Sequence, residues 1–525
     1  MKEERNYTGR VFLITLLVTV FMLGLSQLPG YRVGKTKLKR INILSDIVGQ
    51  EEHPELEGAD LYFDTTFLAE GRAIEAEEQA ARADSARKAT PPPVVEQQWK
   101  AAPAIPVDKA PRTDVPRPAP SADSSAAVVP FEDFGGDTLA MSRFYASLLD
   151  GNEQRPVRIA VLGDSFIEGD IITADIREQL QDLYGGCGVG FIPFSSSVAM
   201  LRSTARHTFS GWTTYNVKDY RQAPEALKDK FFISGNLCIP SEGASVRVEG
   251  VGFRKHIDRA DVARLIFMNR ESASLHVVVN DTLSRDFHPD PSPYVQQIAI
   301  HAPIRSIAVS VSDTAGFVGY GIEFESGQGV SLDNYSIRGN SGLALFATNA
   351  GINTQIGKML GGYDLIVLQY GLNVMSADVM HYDSYAKNFV KVINYMKRCF
   401  PSSSILVMSV CDRSTQRDGE FVTMPSVGPM IDAQRSAARE AGVAFWNTFE
   451  AMGGYNSMVR FVDRNWAAKD YTHIGYRGGK FVAGAFMRAV EQGLAAERQA
   501  REEAAEARKP EVPRFDFYPE SGQTE

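Results

Sequence analysis

The fold is decided by residues 157–185, VRIAVLGDSFIEGDIITADIREQLQDLYG. The first six are a short, mainly apolar run of strand length leading into Gly163-Asp164-Ser165, and a helix-like stretch follows at 172–185. A strand buried on both faces reads as an unbroken apolar run, whereas a half-exposed one alternates. The same texture recurs downstream. LIVLQ (365–369) precedes the amphipathic SYAKNFVKVINYMKRCF (384–400), ILVMSV (405–410) precedes a helix-like stretch at 433–441, and VAFW follows at 443–446. Short apolar strands alternating with helices predict an α/β fold, a parallel sheet covered on both faces.

Residues 207–328 have a different texture. SVRVEGVGFRK (245–255), LHVVVND (275–281), QQIAIHA (296–302) and SIAVSVSD (306–313) alternate with period two and are separated by Asp, Ser, Pro and Gly. This predicts a β-sandwich module inserted after the first strand–helix unit, splitting the α/β domain into 131–206 and 329–495.

Four short motifs can carry chemistry. Ser165 stands at the carboxyl end of a predicted parallel strand, where open α/β sheets place their ligands. A helix N-terminus following it would aim backbone N–H groups at developing negative charge. Asp470-Tyr471-Thr472-His473 can supply, from one loop, the base a serine hydroxyl needs and the carboxylate that orients the base. Asn373, in Gly371-Leu372-Asn373 after LIVLQY, can offer its amide N–H to an oxyanion. Arg338-Gly339-Asn340-Ser341-Gly342 is a turn whose glycines let backbone N–H groups approach a substrate. Each motif alone also reads as an ordinary cap or turn. The other central histidines (207, 256, 276, 288, 301) fall in or beside the β insertion, and His381 lies beside the third block.

Taken in order, the GDS of Gly163–Ser165, the glycine turn ending at Gly342, the GLN of Gly371–Asn373 and the DYTH of Asp470–His473 resemble the four blocks of the SGNH (GDSL-like) hydrolase superfamily. The resemblance covers residues 156–206 and 329–495. It implies a flavodoxin-like parallel sheet, Ser165 as nucleophile, His473 as base and Asp470 as its orienter. It also implies an oxyanion hole from the Ser165 and Gly342 backbone N–H groups and the Asn373 side chain, with Gly339 as substitute for Gly342. No cofactor or metal is implied. The Phe-Ile-Glu-Gly-Asp after Ser165 departs from the Leu-Thr usual in the superfamily, which speaks against lipid substrates. The β insertion, the approach to the second block (319–342) and MGGYNSM (452–458) resemble peptidoglycan and polysaccharide O-acetylesterases. The implied activity is removal of O-acetyl groups from a cell-envelope glycan. Acetyl transfer to a glycan with the same triad, a non-catalytic glycan-binding scaffold, and a lipase or thioesterase are the alternatives.

Outside this domain the chain changes character. No charged residue falls between Arg10 and Arg32, and residues 11–28 (VFLITLLVTVFMLGLSQL) are nearly all apolar, the length a helix needs to span a bilayer. A transmembrane anchor is expected at 11–29, after a tail at 1–10. Residues 30–130 hold a juxtamembrane segment and an Ala- and Pro-rich linker, which favours extended chain and would lift a domain off a surface. A charged and polar tail occupies 496–525. Basic residues on both flanks of the apolar run, read literally, keep the body cytoplasmic. The linker and the expected substrate argue instead for a bacterial inner-membrane protein facing the periplasm. The net charge of −9 excludes the basic surplus of a nucleic-acid binder. Four scattered cysteines form neither a zinc site nor a disulfide framework, though one disulfide is compatible with their number.

Overall fold

The computed structural model describes residues 32–33, 36–37, 128–136, 139–151 and 154–507. The first of two compact units, Met1–Leu61, is described only as a two-residue pairing of Arg32–Val33 with Thr36–Lys37. The expected transmembrane segment and linker lie outside the described residues. Among the described residues no helix is long and apolar enough to cross a membrane.

The second unit, Tyr62–Glu525, contains the predicted domain. It opens with β1 (Glu132–Asp133) and α1 (Ser142–Asp150), then β2 (Val157–Gly163) and α2 (Thr173–Tyr184). After the β module come β12 (Val330–Ser336), α3 (Ala350–Met359), β13 (Leu365–Gln369), α4 (Asp383–Cys399) and β14 (Ser404–Met408). A small hairpin, β15 (Ser414–Arg417) and β16 (Glu420–Thr423), precedes α5 (Val427–Ala441) and β17 (Ala444–Trp446). Helices α6 (Thr448–Ala451), α7 (Ser457–Asp463) and α8 (Tyr476–Ala507) close the chain.

The six-stranded sheet of the α/β part has the order β12-β2-β13-β14-β17-β1, parallel except for β1 at the edge. Counting the parallel strands along the chain this is 2-1-3-4-5, the flavodoxin-like order expected from the sequence. Every residue of β2, β13 and β14 is buried, which explains their largely apolar composition, with Arg158 the charged exception on β2. The connection from β2 leads to one side in the sheet and those from β12 onward lead to the other. Right-handed crossovers therefore put the helices in two layers. Helices α1 and α2 pack with α8, and α3, α4 and α5 pack in succession. The reversal falls at β2, so its carboxyl end and that of β13 flank the crevice where such sheets bind ligands.

The module is one antiparallel sheet of nine strands rather than two packed sheets. Its strand β5 (Asn236–Gly250) pairs along most of its length with β4 (Ala205–Asn216). The second half of β5 pairs with β10 (Ser306–Ser312), and Cys238 in its first half meets β11 (Phe317–Glu325). One long strand shared by both halves keeps the hydrogen-bonded path unbroken, so the predicted sandwich is a single curled sheet. A register shift at Gly211, whose φ is +74°, marks the bend. The sheet also starts earlier than the alternation suggests, because β3 (Gly190–Pro193) pairs with β11.

The two sheets meet at a buried cluster of charges. Arg158 on β2 reaches Glu323 at 2.7 Å, also pairs with Glu325 on β11, and lies 3.6 Å from Asp333 on β12. Arg264 of the module contacts Glu325 at 2.6 Å. Burial and the neighbouring Asp333 carboxylate push the Glu323 carboxyl well up. Burial also pushes Glu325 up, but Arg158 and Arg264 outweigh it and hold that carboxyl below its usual range. Two guanidiniums thus face three carboxyl groups at this seam.

Candidate active site

Strand β2 ends at Gly163 because nothing larger fits. A Cβ there would lie 2.8 Å from the Gln369 carbonyl oxygen and the Ile167 side chain. The chain then turns. Asp164 is fully buried, its Oδ1 accepts the Phe166 N–H at 3.0 Å, and Ser165 is 7% exposed. Helix α2 begins only at Thr173, after a short turn at Glu168–Asp170, so the expected helix N-terminus does not start at Ser165. The Ser165 backbone N–H has no acceptor among the described residues.

The DYTH loop stands opposite. Asp470 Oδ1 accepts the backbone N–H groups of Thr472 at 2.9 Å and His473 at 3.0 Å, which folds the loop so that its Oδ2 meets His473 Nδ1 at 2.6 Å. His473 Nε2 lies 2.9 Å from Ser165 Oγ. A carboxylate only accepts, so Nδ1 carries the ring proton and Nε2 is left to accept from the hydroxyl. Partial burial raises the Asp470 carboxyl, but the hydrogen bond and charge of His473, with the two backbone donors, outweigh it and hold it below its usual value. A hydroxyl on an imidazole whose far nitrogen faces an ionised carboxylate can be deprotonated as it attacks a carbonyl.

Asn373, after β13, donates its amide N–H groups to Asp164 Oδ2 at 3.2 Å and to the Asn340 carbonyl at 3.1 Å. The glycine turn divides its work. Gly342, at φ +89°, packs against the Tyr370 ring, and its N–H is donated to Asn340 Oδ1 at 2.8 Å. The donor that the resemblance assigns to an oxyanion is thus engaged within its own turn. Gly339, at φ +76°, has an N–H with no acceptor among the described residues. Arg338 beside it binds Glu168 Oε2 at 2.6 Å, tying this turn to the Ser165 loop.

Two residues the sequence reading gave no role therefore sit inside the site. Asn340 is 1% exposed and contacts both Gly342 and Asn373. Asp164 holds Asn373, and its carboxyl is raised to about 7. Burial is the largest cause, offset in part by the Phe166 N–H, His473 and Arg338 and reinforced by Glu168. Other described histidines have partners elsewhere or face solvent: His207 meets the Phe194 carbonyl, His256 pairs with Asp182, His276 with Asp286, His288 with Ser274, and His301 and His381 are exposed. All four cysteines are free and buried, so no disulfide forms. Among the described residues no group of three or more His, Cys, Asp or Glu side chains is placed to hold a metal.

No family model and no curated protein matches the chain. Solved structures do. A peptidoglycan O-acetylesterase aligns over 70% of this chain and 99% of its own at 19% identity, with a TM-score of 0.58. At that identity the likeness is one of fold: this chain shares the fold of that O-acetylesterase. A family two carbohydrate esterase from Cellvibrio japonicus aligns over 55% of this chain and 98% of its own, at 8% identity and a TM-score of 0.24. An acetylxylan esterase mutant from Geobacillus stearothermophilus aligns over 31% and 73%, at 18% identity and a TM-score of 0.24. Scores that low carry no weight here.

Proposed function

We propose that the chain is a serine esterase that removes O-acetyl groups from a cell-envelope glycan. The observation that supports it is the relay from Ser165 Oγ to His473 Nε2 at 2.9 Å and from His473 Nδ1 to Asp470 Oδ2 at 2.6 Å. Ser165 Oγ attacks the acetyl carbonyl while His473 takes its proton, and the carbonyl electron pair moves onto the oxygen. The Ser165 and Gly339 N–H groups, with the Asn373 amide released from Asn340, receive that oxyanion. Its collapse expels the sugar oxygen, which takes the proton back from His473 and leaves an acetyl-serine. Water, deprotonated by the same imidazole, then releases acetate.

The glycan assignment rests on the likeness in fold to the O-acetylesterase and on the inserted β module. Acetate release by the purified protein, followed on p-nitrophenyl acetate, O-acetylated peptidoglycan and O-acetylated xylan, tests it. The expected result is release from one polymer, with at least a ~10³-fold loss in Ser165→Ala. Equal rates in both proteins would sink the reading.

Residues 11–28 serve, on this proposal, as a membrane anchor, and the Pro-rich linker lifts the domain toward a fixed polymer. The four native cysteines are buried, so labelling of a cysteine introduced as Ala101→Cys can be read against a low background. It should react with a membrane-impermeant maleimide once the outer membrane is opened. Labelling only after the inner membrane is breached would reverse the orientation.

A further inference from the structure

The β15–β16 hairpin plays no part in the relay, yet it is fastened to it. Between its strands Asp418 and Gly419 take φ values of +52° and +89°, the tight two-residue turn that an Asp-Gly pair favours. One end of the hairpin holds the DYTH loop. Ser414 N–H donates to the Tyr471 carbonyl at 3.0 Å, and the Phe421 ring lies on the Tyr471 ring, centroids 3.7 Å apart and 9° from parallel. The same end, where Thr423 pairs with Ser414, is clamped. Thr423 N–H donates to Asn456 Oδ1 at 2.9 Å, and Asn456 N–H donates to Thr423 Oγ1 at 2.7 Å. Just before the hairpin, Asp412 Oδ2 accepts the Met458 N–H at 2.8 Å, and Arg413 donates to the Leu372 carbonyl, one residue before Asn373, at 3.1 Å.

Tyr471 itself sits at φ +55°, a left-handed conformation that suits glycine or asparagine and strains an aromatic residue. The turn needs that backbone, because it brings His473 back onto Asp470. Nothing in the turn needs a ring. The ring is what Phe421 grips.

We infer that Phe421 is a positioning residue for the esterase relay: by stacking on Tyr471 it makes the clamped hairpin a brace that holds the Asp470–His473 loop at its distance from Ser165. This rests on the esterase reading above. Phe421 acts through Tyr471 and touches no reacting atom.

The test uses the full-length protein and p-nitrophenyl acetate. Phe421→Ala is expected to lower kcat about tenfold, the rate equivalent of one lost aromatic pair, with KM within about twofold. Phe421→Trp should restore kcat and Phe421→Leu should not, since only a ring can stack. The low-field proton resonance of His473 Nδ1–H gives a second readout. It should be sharp in the parent and Trp variant and broadened in the Ala variant. An unchanged kcat in Phe421→Ala would overturn the inference. So would a change in KM alone, which would make the ring a substrate contact, or full rescue by Leu. The resonance separates this inference from the esterase reading, because it reports the brace even in a chain that hydrolyses nothing.

Discussion

Asp164 meets two demands at once. Its Oδ2 holds the Asn373 amide, a task for an ionised carboxylate, while complete burial favours the neutral acid and lifts the carboxyl to about 7. The folded chain therefore binds this proton more tightly than the unfolded chain, whose Asp titrates near the ordinary value of 3.8. The group costs nothing below about pH 4, and stability falls as pH rises from there through 7, by on the order of 4 kcal/mol in total. Asp164→Asn removes the charge. Thermal melts should show the variant gaining on the parent between pH 5 and pH 8; a constant difference at the two pH values would contradict this. Neither Asp164 nor Asn340 could be given a role from sequence, because their partners are distant in the chain: Asn373 is 209 residues from Asp164 and 33 from Asn340. Ser165, Asn373, Asp470 and His473 were legible because each stands in a short motif in a recognisable strand-end or loop context. Gly339 and Gly342 could not be ranked by pattern, since the difference between them is which N–H a neighbouring side chain occupies.

Elements were legible where burial wrote their pattern. The strands β2, β13 and β14 are buried on both faces and read directly from their apolar runs. The hairpin β15–β16 was passed over although Asp418-Gly419 is a strong turn signal, because its four-residue strands are mostly polar and show no apolar alternation. The nine-stranded sheet read as a sandwich because alternation records which face is buried and not which strands bond. The seam between the sheets gives the element-scale prediction. Arg158→Ala leaves Glu325 without one of its two cationic partners and should cost about 3–5 kcal/mol in urea denaturation. Glu323→Gln mimics the protonated acid that the seam already favours, and should stay within about 1 kcal/mol of the parent. Equal losses in both variants would mean that Glu323 is ionised.

At the scale of the whole molecule the strand order 2-1-3-4-5 places the ends of β2 and β13 at the switch point, and Ser165 and Asn373 lie just beyond those ends. The β module is inserted in the chain between α2 and β12, the strand directly before the glycine turn. The insertion was readable from the change of texture, whereas the flavodoxin-like sheet was implied by the resemblance. The expected anchor and linker fall outside the described residues, and their role rests on composition. The central claim is that His473, oriented by Asp470, makes Ser165 a nucleophile. Intact-mass analysis after treatment with a serine-directed fluorophosphonate measures this directly. One adduct per chain, mapped to the Ser165 peptide and abolished by His473→Ala, is the predicted result. An adduct elsewhere, or one that forms equally well without His473, would contradict it.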